Sequence, residues 1–121
     1  MNQPEINLYH YRARLVSVYD GDTMRVDLDL GMGIWRNNIA LRLFGIDTPE
    51  LRGDDREAGL RARDAVRDAV GDGASVIIQT HRDATGKYGR LLATVWIPEE
   101  PHGYFNLNKW LLEVDLAVPY E

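Results

Sequence analysis

Alternation of apolar and polar side chains dominates the first half of the chain. Between Tyr9 and Val18, Tyr9, Tyr11, Ala13 and Leu15 alternate with His10, Arg12 and Arg14, the pattern of a half-buried strand. Asp20-Gly21-Asp22 breaks it. Thr23–Leu30 alternates again, with Met24, Val26, Leu28 and Leu30 opposite Thr23, Arg25, Asp27 and Asp29. Gly31-Met32-Gly33 predicts a flexible tip beside Trp35, and Asn37-Asn38 leads into a third strand over Ile39–Ile46. The three strands read as an antiparallel meander.

The period then changes. Asp54 followed by Glu57 is a capping-box pattern, and Ala58, Ala62, Ala65, Val66 and Ala69 recur at helical spacing until Gly71 stops them. A stripe of alanine predicts a helix packed close to the sheet, with Arg56, Arg61, Arg63, Arg67, Asp64 and Asp68 on a solvated, self-paired outer face. Ser75–Thr80 and Leu91–Ile97 read as strands joined by a polar loop, His81–Arg90. Leu107, Trp110, Leu111 and Val114 define a short second helix capped by Asn106 or Asn108, and the apolar tail Leu116–Tyr120 is expected to dock. Trp96 and Trp110 are expected in the core. Five strands with one helix between the third and fourth predict a β-barrel with helices (α+β): a five-stranded Greek-key barrel of the OB type with two packed helices. Residues 1–8 are expected to form a flexible leader, and residues 9–121 a single domain.

Composition narrows this picture. The 121 residues include no cysteine, which excludes a disulfide framework and thiolate metal sites. No apolar run approaches the ~20 residues a membrane span requires, and the N-terminus lacks a signal layout, so a cytoplasmic, membrane-free monomer is expected. The net charge of −5 argues against binding nucleic acid by bulk attraction. Five acids but a single base follow residue 90, and twelve of the fourteen bases are arginine, whose planar fork matches phosphate oxygens. A polyanion would have to be held locally.

Candidate chemistry gathers where strands end. Asp20 and Asp22 straddle a glycine, and Asp47 with the Thr48 carbonyl can complete an all-oxygen pocket suited to a hard cation, Ca2+ or Mg2+. Taken alone, Asp-Gly-Asp is a hairpin turn. Glu50 is placed to accept a proton from a metal-bound water, or else to pair with Arg52. Arg42 and Arg90 are candidates for clamping a phosphate and stabilising transition-state charge. Strict alternation sets Arg42 and Asp47 on opposite faces, so Gly45 must break the register.

Three ordered motifs, Asp20-Gly21-Asp22-Thr23, Arg42 through Glu50, and Lys87-Tyr88-Gly89-Arg90, resemble the staphylococcal (micrococcal) nuclease family, or thermonucleases, with the likeness running over roughly residues 11–120. The resemblance implies Ca2+ as cofactor, with Asp22, Asp47 and the Thr48 carbonyl as its ligands and Asp20 as a supporting carboxylate behind them. It implies Glu50 as the base and Arg42 and Arg90 as the phosphate-binding arginines. By the same resemblance Lys87 and Tyr88 would hold the neighbouring phosphate and nucleotide, and Tyr120 would line the base pocket. The implied reaction is hydrolysis of single-stranded DNA or RNA to 3′-phosphate and 5′-hydroxyl ends. The competing expectation is a catalytically silent OB-type module that binds nucleic acid or protein; such relatives usually lose the arginines or carboxylates that this chain keeps.

Overall fold

The computed structural model describes residues 8–71, 73–85, 90–99 and 101–120, with only the backbone of 82–85. Strands β1 (His10–Asp20), β2 (Thr23–Gly31) and β3 (Ile34–Leu43) form the antiparallel meander that alternation predicts. After a two-residue strand β4 (Ile46–Asp47) and helix α1 (Arg56–Val70), β5 (Ser75–Thr85) returns antiparallel to β1, and β6 (Leu91–Pro98) pairs with β5. Leu41–Leu43 of β3 then runs parallel to Leu91–Ala93 of β6, closing a five-stranded mixed barrel with two helices. Its interior is filled by the inward residues of the alternating runs. Met24, Val26, Leu41, Leu43, Val76, Ile78 and Val95 are all fully buried. Burying each such side chain contributes about 1.5–3 kcal/mol, the main force holding the ring closed. Among the described residues no helix is long and apolar enough to cross a membrane.

Two strands outrun their sequence signal. β3 begins at Ile34 rather than Ile39, because Gly31, Met32 and Gly33 all take positive φ and turn the chain tightly enough for the hairpin arms to stay paired. Residues Ile34–Asn38 project past the barrel and are exposed, so no core imposes a period on them. Trp35 is part of this arm, with the Arg14 guanidinium 5.4 Å from its ring centroid. β5 likewise continues into the segment read as a loop, as far as Thr85, which pairs with Leu91 after a register shift beyond Thr80.

The capping box does not form. Gly53–Asp55 make a 3-10 turn that runs straight into α1, and the cap falls on Asp55, whose φ of −86° and ψ of −5° are already helical, with no side-chain hydrogen bond. Gly71 stops the helix as expected, with a φ of 80°. The small-residue stripe does bring α1 close. A Cβ on Gly59 would lie 2.5 Å from the Glu50 carbonyl oxygen, and one on Gly21 would lie 2.9 Å from Ala62 Cβ and 2.8 Å from Thr48 Cγ2. Two glycines thus let the helix, the β1–β2 turn and the Thr48–Glu50 segment share one place.

Of the two cap candidates for helix α2 (Leu107–Glu113), Asn106 is the cap, its Oδ1 accepting the Lys109 N–H at 3.0 Å. Asn108 is buried. Its Oδ1 accepts the Val95 N–H at 3.1 Å and its Nδ2 donates to the Phe44 and Ala93 carbonyls at 3.0 Å, fastening α2 to β6 and to the chain leaving β3. The strands β7 (Tyr104–Asn106) and β8 (Val118–Pro119) extend β6 and cover β4 respectively, so the tail docks. Trp96 and Trp110 are half-buried rather than core: Trp96 Nε1 donates to Gln79 at 3.0 Å, and Trp110 meets Phe105 edge-on.

Candidate active site

Asp20, Gly21 and Asp22 do form a hairpin turn, and the turn is what presents the acids. Asp20 Oδ1 accepts the Asp22 backbone N–H at 3.1 Å, so one aspartate shapes the loop and the other is aimed inward. The Asp22 side chain is only 9% exposed. Its Oδ2 accepts the Thr48 N–H at 3.0 Å, and its Oδ1 accepts the Thr23 hydroxyl at 3.2 Å.

Gly45, with a φ of 80°, turns the chain between β3 and β4 and removes the alternation conflict. Arg42 and Asp47 therefore face one another, with Arg42 Nη2 donating to Asp47 Oδ1 at 3.0 Å and to Asp22 Oδ2 at 3.4 Å. Nη1 of the same guanidinium donates to the Ile46 carbonyl at 3.1 Å. Tyr120, carried by the docked tail through its N–H on the Gly45 carbonyl, stacks with its ring centroid 4.8 Å from the Arg42 Cζ. Arg90 arrives from the other side, where its Nη1 donates to the Thr23 hydroxyl at 3.3 Å. Thr23 thus links Arg90 to Asp22, a role its place in the motif does not signal.

The charges in this cluster differ in standing. Burial alone would raise the Asp22 carboxyl, but the Asp20 side chain, the Thr48 N–H and Arg42 outweigh it and hold it below the usual range. Burial, reinforced by the hydrogen bond and charge of Asp22, pushes Asp20 up to about 6. Burial and the Asp22 charge also raise Asp47, against the pull of Arg42. Asp22 is the anion around which the others adjust.

Glu50 lies apart from these contacts, on the exposed rim, paired to Arg52 Nε at 2.8 Å. Its neighbour Thr48 is buried, and the Thr48 hydroxyl has no hydrogen-bond partner among the described residues. Also among the described residues, no three His, Cys, Asp or Glu side chains converge as a metal cluster. What converges is two carboxylates, one from the β1–β2 turn and one from β4, both within reach of one cationic nitrogen and beside a buried threonine. Lys87 and Tyr88 lie outside the described residues.

A family model described as staphylococcal nuclease homologue matches residues 40–121. The chain belongs to that family. As a staphylococcal nuclease homologue it sits among nucleases, and its barrel with two helices is the architecture expected of one. The matched span takes in Arg42, Asp47, Thr48, Glu50, Arg90 and Tyr120, whereas Asp20 and Asp22 precede it and reach the site through the β1–β2 turn. Protein ParB of Escherichia coli is 33% identical over 120 residues, covering 90% of this chain and 57% of its own length. An uncharacterized protein of Methanocaldococcus jannaschii is 26% identical over 131 residues, covering 92% of this chain and 60% of its own. The nuclease homologue domain described here therefore spans less than two thirds of either relative.

Proposed function

We propose that this chain is a Ca2+-dependent phosphodiesterase that hydrolyses single-stranded DNA or RNA to 3′-phosphate and 5′-hydroxyl ends. The observation that carries the reading is the meeting of Asp22 and Asp47 at the Arg42 guanidinium, with Arg90 joined to the same cluster through Thr23. Two carboxylates, from the β1–β2 turn and from β4, and the Thr48 carbonyl are an oxygen donor set for a hard cation, and few protein ligands leave room for water. When bound there, the ion would supply Lewis-acid polarisation of a phosphate oxygen and a more acidic water.

The chain's own residues account for the remaining roles. Arg42 turns from the carboxylates to an equatorial phosphate oxygen, its guanidinium kept in plane by Tyr120. Arg90 binds a second phosphate oxygen and stabilises the charge that grows in the pentacovalent transition state. Glu50 leaves its ion pair with Arg52 and takes the proton of the attacking water. As the water oxygen bonds to phosphorus the P–O5′ bond breaks, and the 5′ oxygen gains a proton from solvent. Lys87 and Tyr88 would hold the next phosphate and nucleotide, and Tyr120 would border the base.

A silent binding module is the second reading. It is favoured by the ion pairs that occupy Arg42 and Glu50. Incubating denatured DNA with the protein in Ca2+, in EDTA, and as the Glu50→Gln and Arg90→Ala variants separates the two. Cleavage is expected from the parent chain in Ca2+ alone. Equal cleavage in EDTA removes the metal assignment, and no cleavage with any divalent ion leaves the binding module.

A further inference from the structure

Beside the cluster, the outer face of β1–β2 and helix α1 enclose a cleft of about 690 Å³. Among the described residues, four arginines line it, Arg25, Arg63, Arg67 and Arg90, and no acidic side chain does. In a chain whose net charge is −5, that concentration of one sign is not the average surface. The arginines are also held in an unusual way. Arg25 donates to the Asn38 carbonyl at 3.0 Å and Arg67 to the Val18 carbonyl at 2.8 Å. Carbonyls fix a guanidinium without cancelling its charge, and neither arginine has a carboxylate partner among the described residues. Arg63, by contrast, is paired to the half-exposed Asp64 beside it on the helix. The self-paired helix face that the sequence suggests is therefore not self-paired at Arg67.

The cleft is continuous with the reaction centre. Arg90 and Thr23 belong to both, while Tyr19 and Leu51 line this cleft and also the smaller one that holds Asp20 and Glu50. Tyr19 is 68% exposed at the shared edge, where an aromatic face can stack on a base.

We propose that this cleft is a track for the phosphodiester backbone of a single strand, with Arg25 and Arg67 contacting phosphates several residues away from the bond that is cut. The track rests on the nuclease reading for its substrate, but not for its binding. Affinity along it comes from releasing counterions, so it grows with strand length and falls with salt.

The test compares the parent chain with Arg25→Gln, Arg67→Gln and the double variant, in EDTA, by fluorescence anisotropy of a labelled oligothymidylate about a dozen nucleotides long and of a dinucleotide. Glutamine keeps a donor for the Val18 and Asn38 carbonyls, and thermal unfolding confirms that each variant is folded. Each lost phosphate contact should reduce the salt slope by about 0.7 and, near 0.1 M salt, weaken the long strand about fivefold. Dinucleotide binding should not change. Equal weakening of both ligands, or an unchanged salt slope, overturns the track, as does a polyglutamate peptide that binds the parent as tightly as the oligonucleotide. If the variants lose long-strand affinity while the parent cleaves nothing in Ca2+, the track stands and the catalytic reading falls. If cleavage proceeds and length dependence is untouched, the reverse holds.

Discussion

The Asp22 carboxylate accepts the backbone N–H of Thr48 at 3.0 Å, so one side chain latches the β1–β2 turn to the chain that leaves β4. Asp22 also receives Arg42, and it is buried. Asp47 receives the same arginine, but its side chain is 50% exposed. The two proposed metal ligands should therefore differ sharply in structural cost. Asp22→Ala leaves a buried N–H and a guanidinium short of a partner, which costs about 2–4 kcal/mol. Asp47→Ala removes a half-solvated pair and should cost under about 1 kcal/mol. Urea unfolding of both variants in EDTA checks this; equal losses would show that Asp22 is not a latch.

Asp20 gives the site a pH dependence of known sign. Its folded carboxyl, raised to about 6 first by burial and then by Asp22, holds a proton more tightly than the unfolded group at 3.8. Stability is therefore lost as pH rises through that window, and stays lost above it. Asparagine keeps the oxygen that accepts the Asp22 N–H and cannot ionise. Asp20→Asn should thus gain in melting temperature over the parent across the window and hold a constant advantage at higher pH. The Asp22 shift has the opposite sign, supporting the fold of the parent above 3.8. An Asp20→Asn advantage that ignores pH would defeat the argument.

Gly59 sets two effects against each other. Alanine in a helix interior is favoured over glycine by about 1 kcal/mol. Its Cβ, however, would lie 2.5 Å from the Glu50 carbonyl oxygen, a backbone atom that cannot swing aside. Overpacking of this kind costs about 1–3 kcal/mol or more, so the clash should win. Gly59→Ala is expected to lower the melting temperature and, by displacing Glu50, the cleavage rate in Ca2+. A stabilised Gly59→Ala variant would mean that α1 can back away from the Pro49–Glu50 segment.

These residues also show what the sequence made legible. Where one side of a strand is buried, period two was readable, as in Tyr9–Val18 and in Thr23–Leu30, and the barrel followed from it. Signal vanished where no core enforces a pattern, in the exposed arm Ile34–Asn38, and where the sequence turns polar, in the continuation of β5 past Thr80. The acids and arginines were legible as residue types released at strand ends. Their meeting was legible only as a demand on Gly45, since alternation alone separates Arg42 from Asp47; the positive φ of Gly45 meets that demand. Asn108 and Thr23 were obscured because an amide or hydroxyl reads as a cap or turn until its distant partners are known. Gly59 offered only a gap in an alanine stripe.

The guanidinium of Arg42 occupies the place where a cation between Asp22 and Asp47 would have to act, and that overlap can be measured without activity. Arg42→Met leaves two carboxylates facing each other, one of them buried, at a cost of about 3–5 kcal/mol in EDTA. A bound divalent ion replaces the lost charge, and at a hundred times its dissociation constant it returns about 2.7 kcal/mol. In the parent chain the ion must first displace the guanidinium from the same oxygens, so the variant should gain more melting temperature from Ca2+ than the parent does. Scans of both proteins with and without Ca2+ decide the matter. An equal rise would show that Arg42 swings away freely, while no rise in either protein would take the ion out of this pair of aspartates altogether.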